Sequence, residues 1–456
     1  GGMAYEALNN AAELKTNFII VLNDNSMSIS KNVGGISSYL SAIRTAQSYT
    51  GLKLNVTNSL KKIPHVGEQL VDAVRKTKTS IKQLIIPGMF FEDMGITYLG
   101  PVDGHDMLQM MKLFNEAKRV QGPVLVHVVT EKGRGYAPAV RHPARFHGTG
   151  AFDVATGLPL KKSKPTYTDI FSTVMRKMGD REPDVVAITA AMPTGTGLKR
   201  FANMFPDRFF DVGIAEEHGV TFAAGLALGG MIPVFAVYSS FLQRGIDQVL
   251  HDVCMQELHV VFAIDRAGLV GSDGETHNGC FDLSYLSMIP NMTLMAPKNL
   301  WELSDRYPRG EAYDGLKEFR APIVRGKGEV IARGRRIALL AVGSMVKTGE
   351  RVWKTLRDRG EEVTFVNMRF VKPFDTELLD ELAQDHSLFV TMEENVQSGG
   401  FGEHVAAYMQ KHHPGTTVEI VAIGDCFVEQ GDVENWKKKL GLDAESVLNR
   451  IEEWEQ

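Results

Sequence analysis

The sequence predicts an α/β protein built from parallel sheets covered by helices, and three observations carry that reading. Short apolar runs, such as residues 124–129 and 259–264, alternate with helical patterns along the whole chain. Several of those runs empty into loops rich in glycine and ionisable residues, and open α/β sheets bind ligands beyond the carboxyl ends of their strands. At 456 residues, 44% of them hydrophobic, the chain is long enough for two or three domains that each bury a core.

The first block opens with a helix over residues 4–14, a strand over 17–22 and a loop over 23–30. Strands follow at 96–99 and 124–129, with a helix at 106–119 between them. From 133 to 165 the composition turns to Gly, Pro, His and Lys with little periodicity, which reads as a linker. A second block carries helices at 167–177, 217–228 and 244–253 and strands at 184–189, 232–237 and 259–264. A third alternates strands at 337–342, 363–367, 388–392 and 417–422 with helices at 348–359, 376–384 and 402–412. It holds few candidate catalytic residues and reads as structural or dimer-forming.

Composition excludes several function classes. The net charge of −5 is small and dispersed, which argues against a nucleic-acid partner. One basic stretch, Arg75-Lys76-Thr77-Lys78 with Lys82, reads as a solvated helix face. Cys254, Cys280 and Cys426 lie far apart without metal-ligand spacing, fitting buried thiols in a reducing cytosol. No apolar run reaches the roughly 20 residues a membrane span needs. The expectation is a cytoplasmic protein.

The richest segment is Asp265-Arg266-Ala267-Gly268-Leu269-Val270-Gly271-Ser272-Asp273-Gly274-Glu275-Thr276-His277-Asn278-Gly279, directly after a strand. Its backbone entropy and its ionisable groups mark it as an active-site loop rather than a connection. Asn23-Asp24-Asn25-Ser26-Met27 also follows a strand, where Asn25 and the Met27 carbonyl could serve Mg²⁺ as hard oxygen ligands. Such a run is equally a turn. In Gly213-Ile214-Ala215-Glu216-Glu217-His218, Glu216 points into the sheet's crevice, where a desolvated carboxyl could exchange a proton with a ligand nitrogen. Both glutamates could instead cap the following helix. Tyr238-Ser239-Ser240-Phe241-Leu242-Gln243-Arg244 offers aromatic rings and an arginine at a strand end, and Arg266 with Arg309 could clamp a phosphate. His147 is the notable histidine of the linker.

Together these segments resemble the 1-deoxy-D-xylulose-5-phosphate synthase family, thiamin-diphosphate enzymes related to transketolase. The runs Asn-Asp-Asn-x-Met-Ser-Ile-Ser from Asn23, Tyr-Leu-Gly-Pro-Val-Asp-Gly-His from Tyr98, and Tyr-Ser-Ser-Phe-Leu-Gln-Arg from Tyr238 carry the likeness, as does Gly279 after Thr-His-Asn. The resemblance implies two thiamin-diphosphate-binding-type parallel-sheet domains and a transketolase C-terminal-like α/β domain. The first, holding diphosphate and Mg²⁺, would span 1–145, with a linker at 146–165. A pyrimidine-binding domain would follow at 166–320 and the carboxyl-terminal domain at 321–456. It further implies a homodimer that decarboxylates pyruvate on thiamin diphosphate and condenses the resulting enamine with D-glyceraldehyde 3-phosphate. The product, 1-deoxy-D-xylulose 5-phosphate, opens the methylerythritol phosphate route to isoprenoids.

The resemblance also implies residue roles. Glu216 would hydrogen-bond the cofactor's aminopyrimidine, Phe241 would pack on it, and Ile214 and Lys132 would lie beside the cofactor. Asn25 and Met27 would bind Mg²⁺, and His147 would lie near the reacting carbon. Tyr238, Arg244, Arg266 and Arg309 would meet the acceptor's phosphate and hydroxyls. Asp273 and His277 would orient substrate and move protons, leaving Glu275 a structural role. The family carries a Gly-Asp-Gly, whose Asp is a third metal ligand, just before the position of Gly1, and further chain before Arg306. Both are missing from this sequence.

Overall fold

The computed structural model describes residues 2–14, 16–45, 89–160, 165–305 and 323–456. Arg309 and the basic stretch at 75–82 lie outside the described residues. The chain divides into two units, Gly1–Lys162 with Gly213–Ala215, and Ser163–Val212 with Glu216–Gln456.

In the first unit β1 (Ile19–Asp24), β2 (Thr97–Asp103) and β3 (Val124–Val129) form a parallel sheet in the order β1-β3-β2. The central strand β3 is buried over five consecutive residues, because helices cover both its faces and leave no side for polar residues. Ile43, Phe91, Ile96, Tyr98 and Leu125 fill one side of the sheet, and Val102, Ala117, Val124, Val126 and Val128 the other. The helix Met107–Ala117 starts where expected because Asp106 caps it, its carboxylate accepting from the Leu108 and Gln109 N–H groups. The stretch read as a linker holds structure of its own. Tyr136, Phe146 and Phe152 pack ring to ring, and the helix Ala137–Arg141 begins with Pro138 in its first turn.

The second unit contains two parallel sheets. Strands β4 (Val185–Thr189), β5 (Phe209–Asp211), β6 (Ile232–Tyr238) and β7 (Val261–Asp265) lie in the order β5-β4-β6-β7, all parallel. The connection from β4 runs one way and that from β6 the other, so the strand order reverses between them. Chains β9 (Glu329–Ala332), β10 (Arg336–Ala341), β11 (Thr364–Asn367), β13 (His386–Val396) and β14 (Thr417–Ile423) form the other sheet, in the order β14-β13-β10-β11-β9. Its edge strand β9 is antiparallel to β11, an exception to the expected parallel pattern. A two-stranded antiparallel ribbon of β8 (Leu294–Met295) and β12 (Phe370–Lys372) ties the two sheets together.

Two differences from the sequence reading have physical causes. Residues 244–253, expected as one α-helix, instead pass through a 3-10 turn at Gln243–Gly245 and end in a π-helical stretch at Val249–Cys254. The wider turn keeps Val249, Val253 and Cys254 all buried, which a regular 3.6-residue pitch does not favour. The closing helices Val433–Lys439 and Ala444–Glu455 were not anticipated. Asp432 and Asp443 cap them through side-chain hydrogen bonds, and Val447, Leu448 and Ile451 bury their faces in the core of the last sheet.

That core sets a stability prediction. Phe365 is fully buried, stacked on Trp353 at 6.4 Å between centroids, and sits where only Gly349 leaves room. Phe365→Ala should lower unfolding stability by roughly 3–5 kcal/mol, the cost of a large buried ring and its cavity. Chemical denaturation followed by tryptophan fluorescence, which Trp353 reports locally, would measure it.

Candidate active site

In the first unit the turn after β1 is held from below. The buried Asp24 carboxylate accepts from the Ser26 N–H at 3.0 Å, from His127 Nε2 at 3.2 Å, and pairs with Arg44 Nε at 3.4 Å. A carboxylate only accepts, so the imidazole proton sits on Nε2 and Nδ1 receives the Tyr98 hydroxyl at 2.7 Å. Burial lowers the His127 pKa, outweighing the Asp24 carboxylate that favours its charged form. Burial likewise raises the Tyr98 hydroxyl. Ser26 takes a left-handed φ of 61°, stabilised by that hydrogen bond and by the next one, from the Met27 N–H to Asn25 Oδ1 at 3.0 Å. The Asn-Asp-Asn run therefore ends β1 with Asn23 and Asp24 and turns at Asn25, whose Oδ1 keeps a second lone pair.

Lys132 and His147, 15 residues apart, come together. Lys132 Nζ donates to the Ser28 carbonyl at 3.0 Å and to His147 Nδ1 at 2.7 Å. Burial lowers the Lys132 pKa. Ile214 is exposed in the turn Gly213–Ala215, where the Ala215 N–H donates to the Gly213 carbonyl at 2.9 Å.

In the second unit Glu216 opens the helix Glu216–Leu228 at 3% exposure. Arg244 reaches it, Nη1 standing 3.3 Å from Glu216 Oε2 and Nη2 3.6 Å from Glu217 Oε1. The alignment is too poor for a hydrogen bond, so Glu216 Oε2 is buried without a donor. Burial raises the Glu216 pKa, and the Arg244 charge only partly offsets it. Glu216 thus stands in the first turn of the helix and is desolvated.

Tyr238 ends β6, beside the strand-order reversal where ligands of open sheets bind. Its ring packs against Phe241 at 5.4 Å, and Phe241 meets His277 edge-on at 5.3 Å. The Arg266 guanidinium lies 4.5 Å over the Tyr238 ring. It also donates to Asp265 at 2.8 Å and to the Gly195 carbonyl at 3.2 Å. Tyr238, Phe241, Arg266 and His277 thus form one cluster, while Asp273 is exposed at the loop's tip. Arg244 is placed with Glu216 and Glu217.

Sequence reasoning missed several residues here. Asp24 and Tyr98 stand in motifs that were read, but their link through His127 went unread because a buried histidine in an apolar strand looks like core. Gly195 was passed over, although Thr194-Gly195-Thr196-Gly197 shortly after β4 was a signal of close approach. A Cβ there would collide with the Tyr238 hydroxyl. Thr168, whose hydroxyl donates to Asp265 at 2.9 Å, lay hidden in a helical pattern. Among the described residues no three His, Cys, Asp or Glu side chains gather as a metal cluster. The ligands expected at Asn25 and Met27 are amide and carbonyl oxygens, outside such a set.

Parallel sheets with this polar cluster at their carboxyl ends are open α/β architecture, and family comparison places them in the transketolase class. Residues 163–307 match the transketolase pyrimidine binding domain and 326–447 the transketolase C-terminal domain. A solved structure described as a split gene transketolase, inactive beta4 tetramer, is 27% identical, with a TM-score of 0.54 over 64% of this chain and 98% of that one. The transketolase of Campylobacter jejuni, 15% identical, shares the fold with a TM-score of 0.50 over 99% of this chain and 75% of its own. Residues 1–130 match the 1-deoxy-D-xylulose-5-phosphate synthase model. The synthase of Lachnoclostridium phytofermentans is 53% identical over 99% of this chain and 75% of its own length. That of Caldanaerobacter subterraneus subsp. tengcongensis is 47% identical over the same shares. The chain belongs to the 1-deoxy-D-xylulose-5-phosphate synthase family, thiamin-diphosphate-dependent transferases of the transketolase type.

The raised Glu216 pKa yields a pH prediction. The folded state holds this proton more tightly than the unfolded chain, whose carboxyl titrates near its ordinary 4.5. The group's contribution is therefore most favourable below 4.5 and is lost as pH rises through the folded value. Glu216→Gln does not titrate, and Arg244, about a third exposed, stays solvated without its partner. The cofactor-free variant should melt above wild type at pH 8, and the gap should close near pH 4. Thermal melts across that range would test it.

Proposed function

We propose that this chain joins pyruvate to D-glyceraldehyde 3-phosphate, giving 1-deoxy-D-xylulose 5-phosphate and CO₂, with thiamin diphosphate and Mg²⁺ as cofactors. The observation that supports it most is Glu216, a buried carboxyl with one oxygen lacking a donor and a raised affinity for its proton. Such a group fits a ring nitrogen of an aminopyrimidine, with which it can share that proton. Phe241 would pack on the pyrimidine, and Ile214 and Lys132 would line the cofactor. Asn25 Oδ1, through its second lone pair, and the Met27 carbonyl would hold Mg²⁺. Bound thiamin diphosphate supplies the electron sink for decarboxylation.

The chain's own residues do the remaining work. The bond from the pyruvate carboxyl carbon to its carbonyl carbon breaks, releasing CO₂. A new bond forms from that carbonyl carbon to the acceptor's aldehyde carbon, whose oxygen takes up a proton. His147, oriented by the Lys132 ammonium at its Nδ1, serves the donor's oxygen. His277, oriented by Phe241, and Asp273 serve the acceptor's aldehyde and hydroxyls. Arg266 and Arg309 bind its phosphate, with Tyr238 and Arg244 beside them, since guanidinium groups grip phosphate through paired hydrogen bonds. The active form is a homodimer.

The purified protein with both cofactors should release CO₂ from pyruvate only when glyceraldehyde phosphate is consumed in step. Failure to do so overturns the reading. Glu216→Ala should cost on the order of 10²–10⁴-fold in kcat, and turnover near the wild-type rate would refute its role. Asn25→Ala should raise the Mg²⁺ concentration needed for thiamin diphosphate binding, read by calorimetry.

A further inference from the structure

The loop from Asp265 to Gly279 does not stand by itself. Its base is closed by a reciprocal backbone pair, the Gly268 N–H to the Gly279 carbonyl at 2.9 Å and the reverse at 2.8 Å. Asn278, 4% exposed, braces it from within, Oδ1 accepting from the Val270 N–H at 2.8 Å and the Gly271 N–H at 3.3 Å. Further anchors come from the carboxyl-terminal part of the unit. Asn278 Nδ2 donates to the Val428 carbonyl at 2.7 Å, and the Gly431 N–H donates to the Gly271 carbonyl at 3.0 Å. The Leu269 N–H donates to Glu394 Oε2 at 3.2 Å, and the other Glu394 oxygen pairs with Lys437 Nζ.

The pair is deeply set, Glu394 at 9% and Lys437 at 12% side-chain exposure. In a pair so shielded from water, losing one partner strands the other charge without solvent. Glu394 fits so closely that a Cβ on Gly268 would strike its carboxylate, and a Cβ on Gly271 would strike the Gly431 carbonyl. Both glycines take left-handed φ values, 78° and 72°, so their backbone shape also excludes side chains. The loop's tip, by contrast, is exposed at Ser272, Asp273, Glu275 and Thr276. The anchored stem therefore determines where Asp273 and His277 stand, and His277 meets Phe241 from there.

We propose that Glu394, held by Lys437, is a positioning residue for the acceptor side of the site, so that the carboxyl-terminal domain sets acceptor affinity without touching substrate. This rests on the assignment of the loop to the acceptor. Lys437 frees or fixes Glu394, Glu394 fixes the Leu269 amide, and the stem carries the tip. Pyruvate binding, which the loop does not serve, is unaffected.

The test uses the full-length protein with both cofactors and the variants Lys437→Met, Glu394→Gln and Lys437→Arg. Glu394→Gln keeps the shape and the acceptor oxygen for Leu269, so it remains informative if Lys437→Met folds poorly. Hydrogen exchange of the Leu269–Gly271 amides, with and without cofactor, reads the clamp independently of turnover. Lys437→Met and Glu394→Gln should raise the KM for glyceraldehyde 3-phosphate about tenfold, the scale of a lost hydrogen bond to a charged group. They should accelerate stem exchange and leave the pyruvate KM and thiamin diphosphate affinity unchanged, and Lys437→Arg should restore both properties. Unchanged exchange overturns the clamp whatever the kinetics. Faster exchange with an unchanged acceptor KM overturns the acceptor role while CO₂ release stands. A wild-type protein without turnover would sink the proposed reaction, and the exchange arm would still decide whether the pair holds the loop.

Discussion

Strands buried on both faces leave a protein few places to keep polar chemistry, and that constraint organises this molecule. In β3, β4, β10 and β13 consecutive side chains point into apolar layers, so ionisable groups there must be neutral, paired or absent. The carboxyl ends of the strands are the exception. Backbone amides and turning loops supply partners there, and Asp24, Tyr238, Asp265 and Arg266 all stand at such ends. His127 is the one polar side chain tolerated in the middle of β3, because Asp24 and Tyr98 satisfy both of its nitrogens.

The same constraint explains what the chain's pattern revealed. Long apolar runs between glycine-rich loops are a strong signal, and strands such as Val124–Val129 fall where the pattern puts them. The short strands β5, β8 and β12 are too brief to show a period, and the π-helical stretch at Val249–Cys254 has the same residue pattern as an α-helix. Among site residues, those in loops were legible because loop glycines and charges have no structural excuse. Those in regular elements were not. Thr168 reads as a helix residue and His127 as a strand residue, since only tertiary proximity gives them polar partners. Arg244 was legible as a functional arginine, but its neighbour was not. Sequence spacing said nothing of the fold that brings it to Glu216, 28 positions earlier.

The carboxyl-terminal domain is a different case. It holds few residues of the kinds that do chemistry, and pattern reading gave it a structural or dimer-forming part. In the structure it holds the loop through Glu394, Lys437, Val428 and Gly431. A residue that acts by holding a backbone amide has no sequence signature, because any acceptor at that point would serve. The glycines of the loop were a signal of that contact. Their backbone entropy was read as the mark of an active-site loop, and at Gly268 and Gly271 they also mark where another part of the same unit comes close.

Three buried carboxyls in the second unit separate structure from function. Glu393 is fully buried and pushed up to about 7 by that burial, yet both its oxygens accept from the Phe401 and Gly402 N–H groups at the start of the helix Phe401–His412. Its desolvation is met by amide dipoles, so it completes a helix end with both oxygens partnered within the chain. Asp282, pushed up to about 6 by burial, also starts a helix, Asp282–Ser287, with backbone partners that partly counter the burial. Glu216 begins a helix too, but one of its oxygens finds no donor, and Arg244 approaches without the alignment of a hydrogen bond. An unsatisfied buried carboxyl costs free energy unless something outside the chain completes it. Burial alone is common to all three, so the raised pKa does not mark the working group. The missing partner does, and it is found at the residue where a proton-sharing ring nitrogen fits.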